Sequence, residues 1–566
     1  MGVPGSTVVA SDLTELMARL SADEMRDACV ALSGDTLVEL ARGERGRNLL
    51  KAVGRELMVY DIGPGTAHRD ALDRLTGGAV SSRPSEAGPD PVFSVPEGSR
   101  AFSRQLAGSS FTSAEGRAGA VLQGTSPGGV EAILLQDGAP VFARVQAAGR
   151  PAFMMSEMPM PDVRQELTAA RSLGSFYPSL IPPLIFLRHA FGDACWHGVG
   201  KTARVIIDDP VLRRRYGFLD FERLASSIRK TGCGVTIGFI PWNFRRTSAR
   251  MASLFAAHSP SLDICVHGCD HTGNEFGVRD AALLTQKAGL ALERMEAHES
   301  RTRIRFERVM VFPQGRFSDA ALVGLRAHGY LAAVDSSCQP AEGRAARLTV
   351  ADFLRPAVSF GGFPVFKRHY PHRMVDFAFD LFLGKPAFVV EHHGYFADGG
   401  HRLERLVGQL RMMEPEVTWP RLTSQMTGSC VVRSVATDRL DVQFYTREFC
   451  LRNTASHPMH YSLAKDEPDP ALVGRVLVNE VSAPFTAHDG RICFEASAMP
   501  GRTITVRVED RKPPPARAFR ASPRYHVGVG LRRVLSEMRD EGAARHPRLL
   551  AAAVRMAKAL RVPAGD

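Results

Sequence analysis

The segment ARVIIDDP, residues 203–210, is an apolar run of strand length that ends abruptly in two adjacent carboxylates. Five more runs of that length follow: VTIGFI (235–240), LDICVHG (262–268), RVMVFP (308–313), YLAAVD (330–335) and AFVVEHH (387–393). Between several of them lie amphipathic stretches such as FERLASSIRKTG (221–232) and DAALLTQKAGLALERMEAHE (280–299). Strands alternating with helices predict parallel βαβ units. Chemistry-bearing residues gather where these strands end: Asp208 and Asp209, Trp242 and Asn243, His267 and His271, Asp335, His392 and His393. In α/β barrels the carboxyl ends of the strands form the active face.

Outward from this centre the pattern changes twice. Residues 1–150 read as a mixed α/β accessory domain. Helical apolar spacing in LTELMARL and TLVELARG is followed by a strand-like LMVYDIG and, beyond the break SSRPSEAGPDPVFSVPEG, by short runs that read as hairpins. Residues 151–202 are expected to connect this domain to the active face, and their RHAFGDACWHG motif adds His189 and His197 as further candidates, as KRHYPHR (367–373) adds Arg368, His369 and Tyr370. The central α/β unit spans 203–424. Residues 425–511 show alternation in VVRSVA, RLDVQFYT and TITVRVED, which predicts an antiparallel β-sandwich. The tail, 512–566, contains one or two basic amphipathic helices that either dock on the body or touch an anionic membrane surface.

Bulk properties narrow the function classes. The chain has 566 residues, a net charge of +11 and 44% hydrophobic residues, so it is globular and multidomain. The positive excess is scattered arginine, without zinc-finger spacing, an RNA-binding aromatic cluster or a phosphate loop. No nucleic-acid partner is therefore expected. Nine cysteines, an odd number spread along the chain, do not form a disulfide framework. Neither a signal-like N-terminus nor an apolar run of membrane-spanning length is visible, and a cytoplasmic, membrane-peripheral location is expected.

Adjacent carboxylates repel each other unless a cation or a shared proton relieves them, although Asp-Asp-Pro is also turn chemistry. His267 and His271 share one face if the chain turns helically after LDICVHG. Neutral imidazoles with a carboxylate suit zinc and other divalent first-row metals. Cys265 and Cys269 alternate with these histidines. Along an extended strand alternating side chains point to opposite faces, so a four-residue Cys/His site requires a turn. The ring of Trp242 either stacks on a sugar or packs at the strand end.

The order of these features resembles the polysaccharide deacetylase superfamily, carbohydrate esterase family four, over roughly residues 204–396. Asp-Asp follows the first strand, His-x-x-x-His the third, a Pro-x-Gly turn the fourth and a histidine the last. The resemblance implies a distorted (β/α) barrel of seven strands and a divalent metal, zinc by the nature of the ligands, used to remove acyl groups from N-acetylated or O-acetylated sugars. It places Asp208 as general base, Asp209, His267 and His271 as metal ligands, and His392 or His393 as general acid. Pro313, Gly315, Arg316, Trp242 and Asp335 fall at the carbohydrate-binding groove, Asp335 also as a partner for the terminal histidine.

The sequence departs from the family pattern in its Ile-Ile-Asp-Asp-Pro opening, in Gly268 between the histidines, and in Val311 where the family has an arginine that orients the catalytic aspartate. Arg316 or Arg245 is expected to take over that task. Two alternatives stay open: hydrolysis of other C–N or glycosidic bonds on the same scaffold, and a non-catalytic glycan-binding or assembly protein.

Overall fold

The computed structural model describes residues 29–545, apart from 114, 126–128, 169–171, 342–346, 512–518, 520 and 521. The helix expected in LTELMARL and the end of the basic tail lie outside these residues.

The centre of the molecule is one eight-stranded sheet. Its strands are β1 (Ala203–Asp208), β2 (Val235–Phe239), β3 (Leu262–His267), β4 (Phe306–Val311), β5 (Ala332–Asp335), β6 (Val358–Phe360), β7 (Phe363–Lys367) and β8 (Ala387–Glu391), in the order β6-β7-β5-β4-β3-β2-β1-β8. All neighbours pair in parallel except β6 with β7. Helices α1 (Phe221–Thr231), α2 (Ala249–His258), α3 (Ala281–Thr302), α4 (Asp319–Ala327) and α5 (Met374–Phe382) make the crossovers. Their starts are written locally: Asp220, Ser248, Asp280 and Ser318 each accept backbone N–H bonds at a helix N-terminus.

No continuous ladder closes this sheet into a barrel. The two ends meet at a single bridge, His369 with Val389, where His369 N–H donates to the Phe388 carbonyl at 2.9 Å and Val390 N–H to the His369 carbonyl at 2.9 Å. The seven-stranded barrel expected from the sequence is therefore a sheet of seven parallel strands, curved until its edges touch, with β6 added antiparallel at one edge.

At the amino ends of the strands, Arg204 is fully buried and hydrogen-bonded through every side-chain nitrogen. Nε donates to Thr236 Oγ1 at 2.9 Å, Nη2 to Asp263 Oδ2 at 2.7 Å and Nη1 to the Trp419 and Pro420 carbonyls. Burial raises the Asp263 carboxyl to about 6 against the opposing pull of Arg204.

The first region carries a seven-stranded mixed sheet, Val30–Ser33 and Leu57–Ile62 pairing in parallel and the hairpins of Val130–Ser156 in antiparallel. The third region has a six-stranded and a four-stranded sheet enclosing Val442, Phe444, Phe449, Tyr461 and Val506. Its pairing is not purely antiparallel, because Arg439–Phe444 runs parallel to Met459–Asp466. Arg326 of α4 clamps this unit to the centre through Glu467 at 2.8 Å and Asp510 at 2.7 Å.

The segment before β1 passes the loop beyond β5, where the Leu167 carbonyl accepts from Gln339 Nε2 at 3.4 Å, and its end lies away from the active face. His197–Gly198 pairs with Cys430–Ala436, and Gly198 and Gly200 donate to the carbonyls of Leu383 and Gly384, just before β8 begins. A segment that feeds the first residue of a strand lies at that strand's amino end, the opposite side of the sheet. Among the described residues no helix is long and apolar enough to cross a membrane.

Candidate metal centre

Asp208 and Asp209 occupy the carboxyl end of β1, and the chain must bend between them. Asp209 adopts φ +81°, a left-handed conformation that a non-glycine residue enters at a cost of about 1–3 kcal/mol. The bend sends the two carboxylates to different partners.

Asp209 Oδ1 lies 3.3 Å from His267 Nε2 and 3.1 Å from His271 Nε2. That oxygen is buried and receives no hydrogen bond. Buried carboxylate oxygens in folded proteins are almost always hydrogen-bonded. Ligand atoms sharing a tetrahedral zinc at about 2.0–2.2 Å stand roughly 3.4 Å apart, so this donor set fits such an ion. His267 Nδ1 lies 3.0 Å from the Val311 carbonyl, a bond that uses the Nδ1 proton and leaves Nε2 free to ligate.

The loop bearing His271 is wound around one buried carboxylate. Glu275 accepts the backbone N–H groups of Cys269, Asp270 and His271 at 2.9–3.0 Å, and its charge is met by Lys287 Nζ at 2.9 Å. Gly268 is required here: its φ is +63°, and a Cβ would collide with the Pro313 ring and the Glu275 carboxylate.

Cys269, Asp270 and Glu275 form a second cluster of ligand-type groups. Its charges are already answered, Asp270 by Arg294 at 2.6 Å and by the Tyr525 hydroxyl at 2.6 Å, and Glu275 by Lys287. Burial pushes the Cys265 and Cys269 thiols well up, and neither joins the histidines. The mixed Cys/His arrangement does not form.

Asp208 is clamped by Arg368, whose Nη1 and Nη2 donate to its two oxygens at 2.9 and 2.7 Å. Burial acts to raise the Asp208 carboxyl, but the Arg368 guanidinium, with His267 beside it, outweighs burial and holds it below the usual carboxylate value. Arg316 and Arg245 do not take this place; both are solvent-exposed, and Arg245 lies over the Phe244 ring. Arg368 sits in KRHYPHR, one residue beyond β7, a loop whose Arg368, His369 and Tyr370 are site candidates in the sequence without an assigned task.

The two terminal histidines separate. His392 lies close enough to Asp208 to help lower its pKa, and its ring stacks parallel to Tyr370 at 6.4 Å. His393 turns away, stacking on Phe218 at 6.0 Å with Nε2 3.6 Å from Asp540 Oδ1.

Other sequence-predicted residues serve differently. Asp335 is fully buried, so substrate cannot reach it; Oδ2 caps the turn through Ser337 N, Ser337 Oγ and Cys338 N. Its charge acts on Arg368. Gly315 supplies a φ of +60° in the turn after β4, with its Cα side facing Asp335. Trp242 is stacked on His526 at 5.8 Å, and the Arg294 guanidinium lies over its ring at 5.2 Å. His189 pairs with Glu56 at 3.2 Å and His197 with Asp193 at 3.5 Å, neither near the triad.

The element with no counterpart in the sequence reading of the site is α6 (Pro523–Arg545), which crosses this rim. Tyr525 reaches Asp270 and Lys287, Glu537 pairs with Arg246 and with Arg213 at 3.2 Å, and Asp540 accepts from Tyr216 at 2.7 Å. Burial would raise the Asp540 carboxyl, yet the nearby His393 and hydrogen bonds from Arg539 and Tyr216 bring it down to about 2.

No protein-family model matches the sequence, and no curated protein matches it. Solved structures do overlap with part of the chain. It is similar to a CE4-family pseudoenzyme from Bacillus anthracis, at 12% identity and a TM-score of 0.25, over 40% of this chain and 66% of that one, just under two thirds of its length. It is also similar to a candidate polysaccharide deacetylase from Mycobacterium smegmatis, at 14% identity and a TM-score of 0.29, over 40% of this chain and 89% of that one. A family 4 carbohydrate esterase from Streptomyces lividans matches at 12% identity and a TM-score of 0.24, over 39% and 91% of the two chains.

Proposed function

We propose that this protein is a metal-dependent hydrolase that removes acyl groups from acylated amino sugars, in the manner of the polysaccharide deacetylases its sequence resembles. One observation carries the reading: a buried, hydrogen-bond-free carboxylate oxygen of Asp209 faces two imidazole Nε2 atoms, while the neighbouring carboxylate is held in place by an arginine. A purely structural Asp-Asp turn would use its oxygens to cap backbone N–H groups.

Asp209, His267 and His271 would hold a divalent cation, zinc by the chemistry of the set. The chemistry such an ion supplies is Lewis-acid polarisation of the substrate carbonyl and acidification of a water. Asp208 accepts the proton that water loses as it adds to the carbonyl carbon. Arg368 fixes both oxygens of Asp208, so the base meets the water in one orientation. His392, protonated, donates to the sugar nitrogen as the C–N bond breaks, and a free amine and a carboxylate result. His393, tied to α6, is not placed for that task.

The test is paired. The purified full-length chain should bind one zinc per molecule and release acetate from oligomers of N-acetylglucosamine. Stoichiometric metal without any acyl hydrolysis across N-acetyl and O-acetyl sugars would overturn the enzymatic reading.

A further inference from the structure

Helix α6 is amphipathic in the unusual sense: its polar side faces the protein. Val529, Arg533, Glu537 and Asp540 are buried against the rim. Outward point Val527, Leu531, Val534, Leu535 and Met538, each more than half exposed. Among the described residues sixteen large apolar side chains are exposed, and these five fall within twelve consecutive positions, so they form a patch where the others are scattered. At about 100° per residue the five span an arc of roughly 100°.

Charge on the helix is segregated with the same regularity. Its three acidic residues are all answered by the body: Glu537 by Arg246 and Arg213, Asp540 by Tyr216 and His393, Glu541 by Arg213. Arg524, Arg532 and Arg539 are exposed, Arg524 within the apolar arc and the other two along one flank, where Arg539 Nε also donates to Asp540 at 2.8 Å. The chain on both sides continues the bias: Arg511, Lys512, Arg517 and Arg520 precede the helix, and Arg548, Arg555, Lys558 and Arg561 follow it, with Asp566 the single acid after the helix. An apolar stripe bordered by arginine, with its carboxylates turned away, is complementary to a surface that is oily below and negatively charged above.

We propose that the outward face of α6 docks on an anionic lipid bilayer. This is independent of the chemistry proposed for the rim. The apolar side chains enter the boundary between headgroups and acyl chains, and the arginines meet lipid phosphates. Because α6 lies over the triad, docking brings the rim, rather than the opposite side of the sheet, against the headgroups.

The experiment uses the full chain and vesicles of phosphatidylcholine alone or of equal parts phosphatidylcholine and phosphatidylglycerol. Co-sedimentation should be at least about tenfold stronger with the anionic vesicles and should weaken as salt is raised. The double variant Leu531→Asp, Leu535→Asp should lose that binding by about tenfold or more, with bound zinc and melting temperature unchanged because both side chains face solvent. Equal binding to both vesicle types, or none, would overturn the proposal. So would anionic-vesicle binding that survives the double variant but disappears from a chain ending at residue 545, which would put the lipid contact in the last residues. Self-association in ultracentrifugation without lipid, abolished by the double variant, would assign the stripe to a second copy of the chain.

Discussion

The two ends of the central sheet each hold a buried arginine–aspartate pair, and they have been completed in opposite ways. At the amino ends Arg204 and Asp263 face each other at 2.7 Å, and all three nitrogens of the guanidinium have protein acceptors. At the carboxyl ends Arg368 grips Asp208 just as closely, at 2.7 Å, but Arg368 Nε and Asp209 Oδ1 are left without partners. A guanidinium with every nitrogen answered by protein acceptors serves the architecture. Converging groups left unsatisfied at the other end are what the proposed ligand would complete.

The comparison can be broken most severely at the carboxyl ends. Asp209→Ala should abolish stoichiometric zinc, measured by elemental analysis, and lower acetate release by more than about 10³-fold, while circular dichroism stays native. Retained zinc would show that the triad is not the site. At the amino ends Arg204→Met should do the reverse. It strands Asp263 without its counter-charge and should cost about 3–5 kcal/mol in urea unfolding, with the zinc content of the folded protein unchanged.

His298 sharpens the contrast from a third place, the wall formed by α3. Burial, with Arg301 nearby, pushes its pKa down to about 4. Above pH 6.5 the imidazole is neutral in the folded and unfolded chain alike, so pH has no effect through it. Between there and pH 4 the unfolded chain takes up a proton that the folded protein refuses, and stability should fall by about 3 kcal/mol. His298→Gln should flatten that slope; an unchanged slope would assign acid sensitivity elsewhere.

The smallest effect is the most diagnostic. Arg368→Lys keeps the charge but not the two-pronged grip, and should lower kcat by about 10- to 100-fold with zinc content unchanged. A matching loss of zinc would mean that Arg368 supports the fold of the triad and does not aim Asp208.

Much of this was legible in the sequence. The strands announced themselves because each is a short apolar run followed at once by a polar residue, and that placed Asp208, Asp209, His267 and His271 on one rim. What orients them was not. Arg368 lies 160 positions from Asp208, in a loop whose residues read as site candidates but with nothing to tie any of them to that carboxylate. His392 and His393 are adjacent, and what separates them is Asp540, far along a helix whose docking side cannot be inferred from its own amphipathicity, because the apolar side faces out. Arg316, close in sequence to the Pro-Gln-Gly turn, looked nearer to the task than it is.

The seam of the sheet gives Arg368 a further meaning. The residue after it, His369, forms the one backbone bridge that joins the two edges, and the residue before it ends β7. Adjacent side chains along an extended chain point to opposite faces, so a slip of one residue at this bridge would swing the guanidinium away from Asp208. The base proposed for Asp208 would thus be oriented only in a chain whose first and last strands have come together, and the proposed chemistry would report on whether assembly of the sheet has finished.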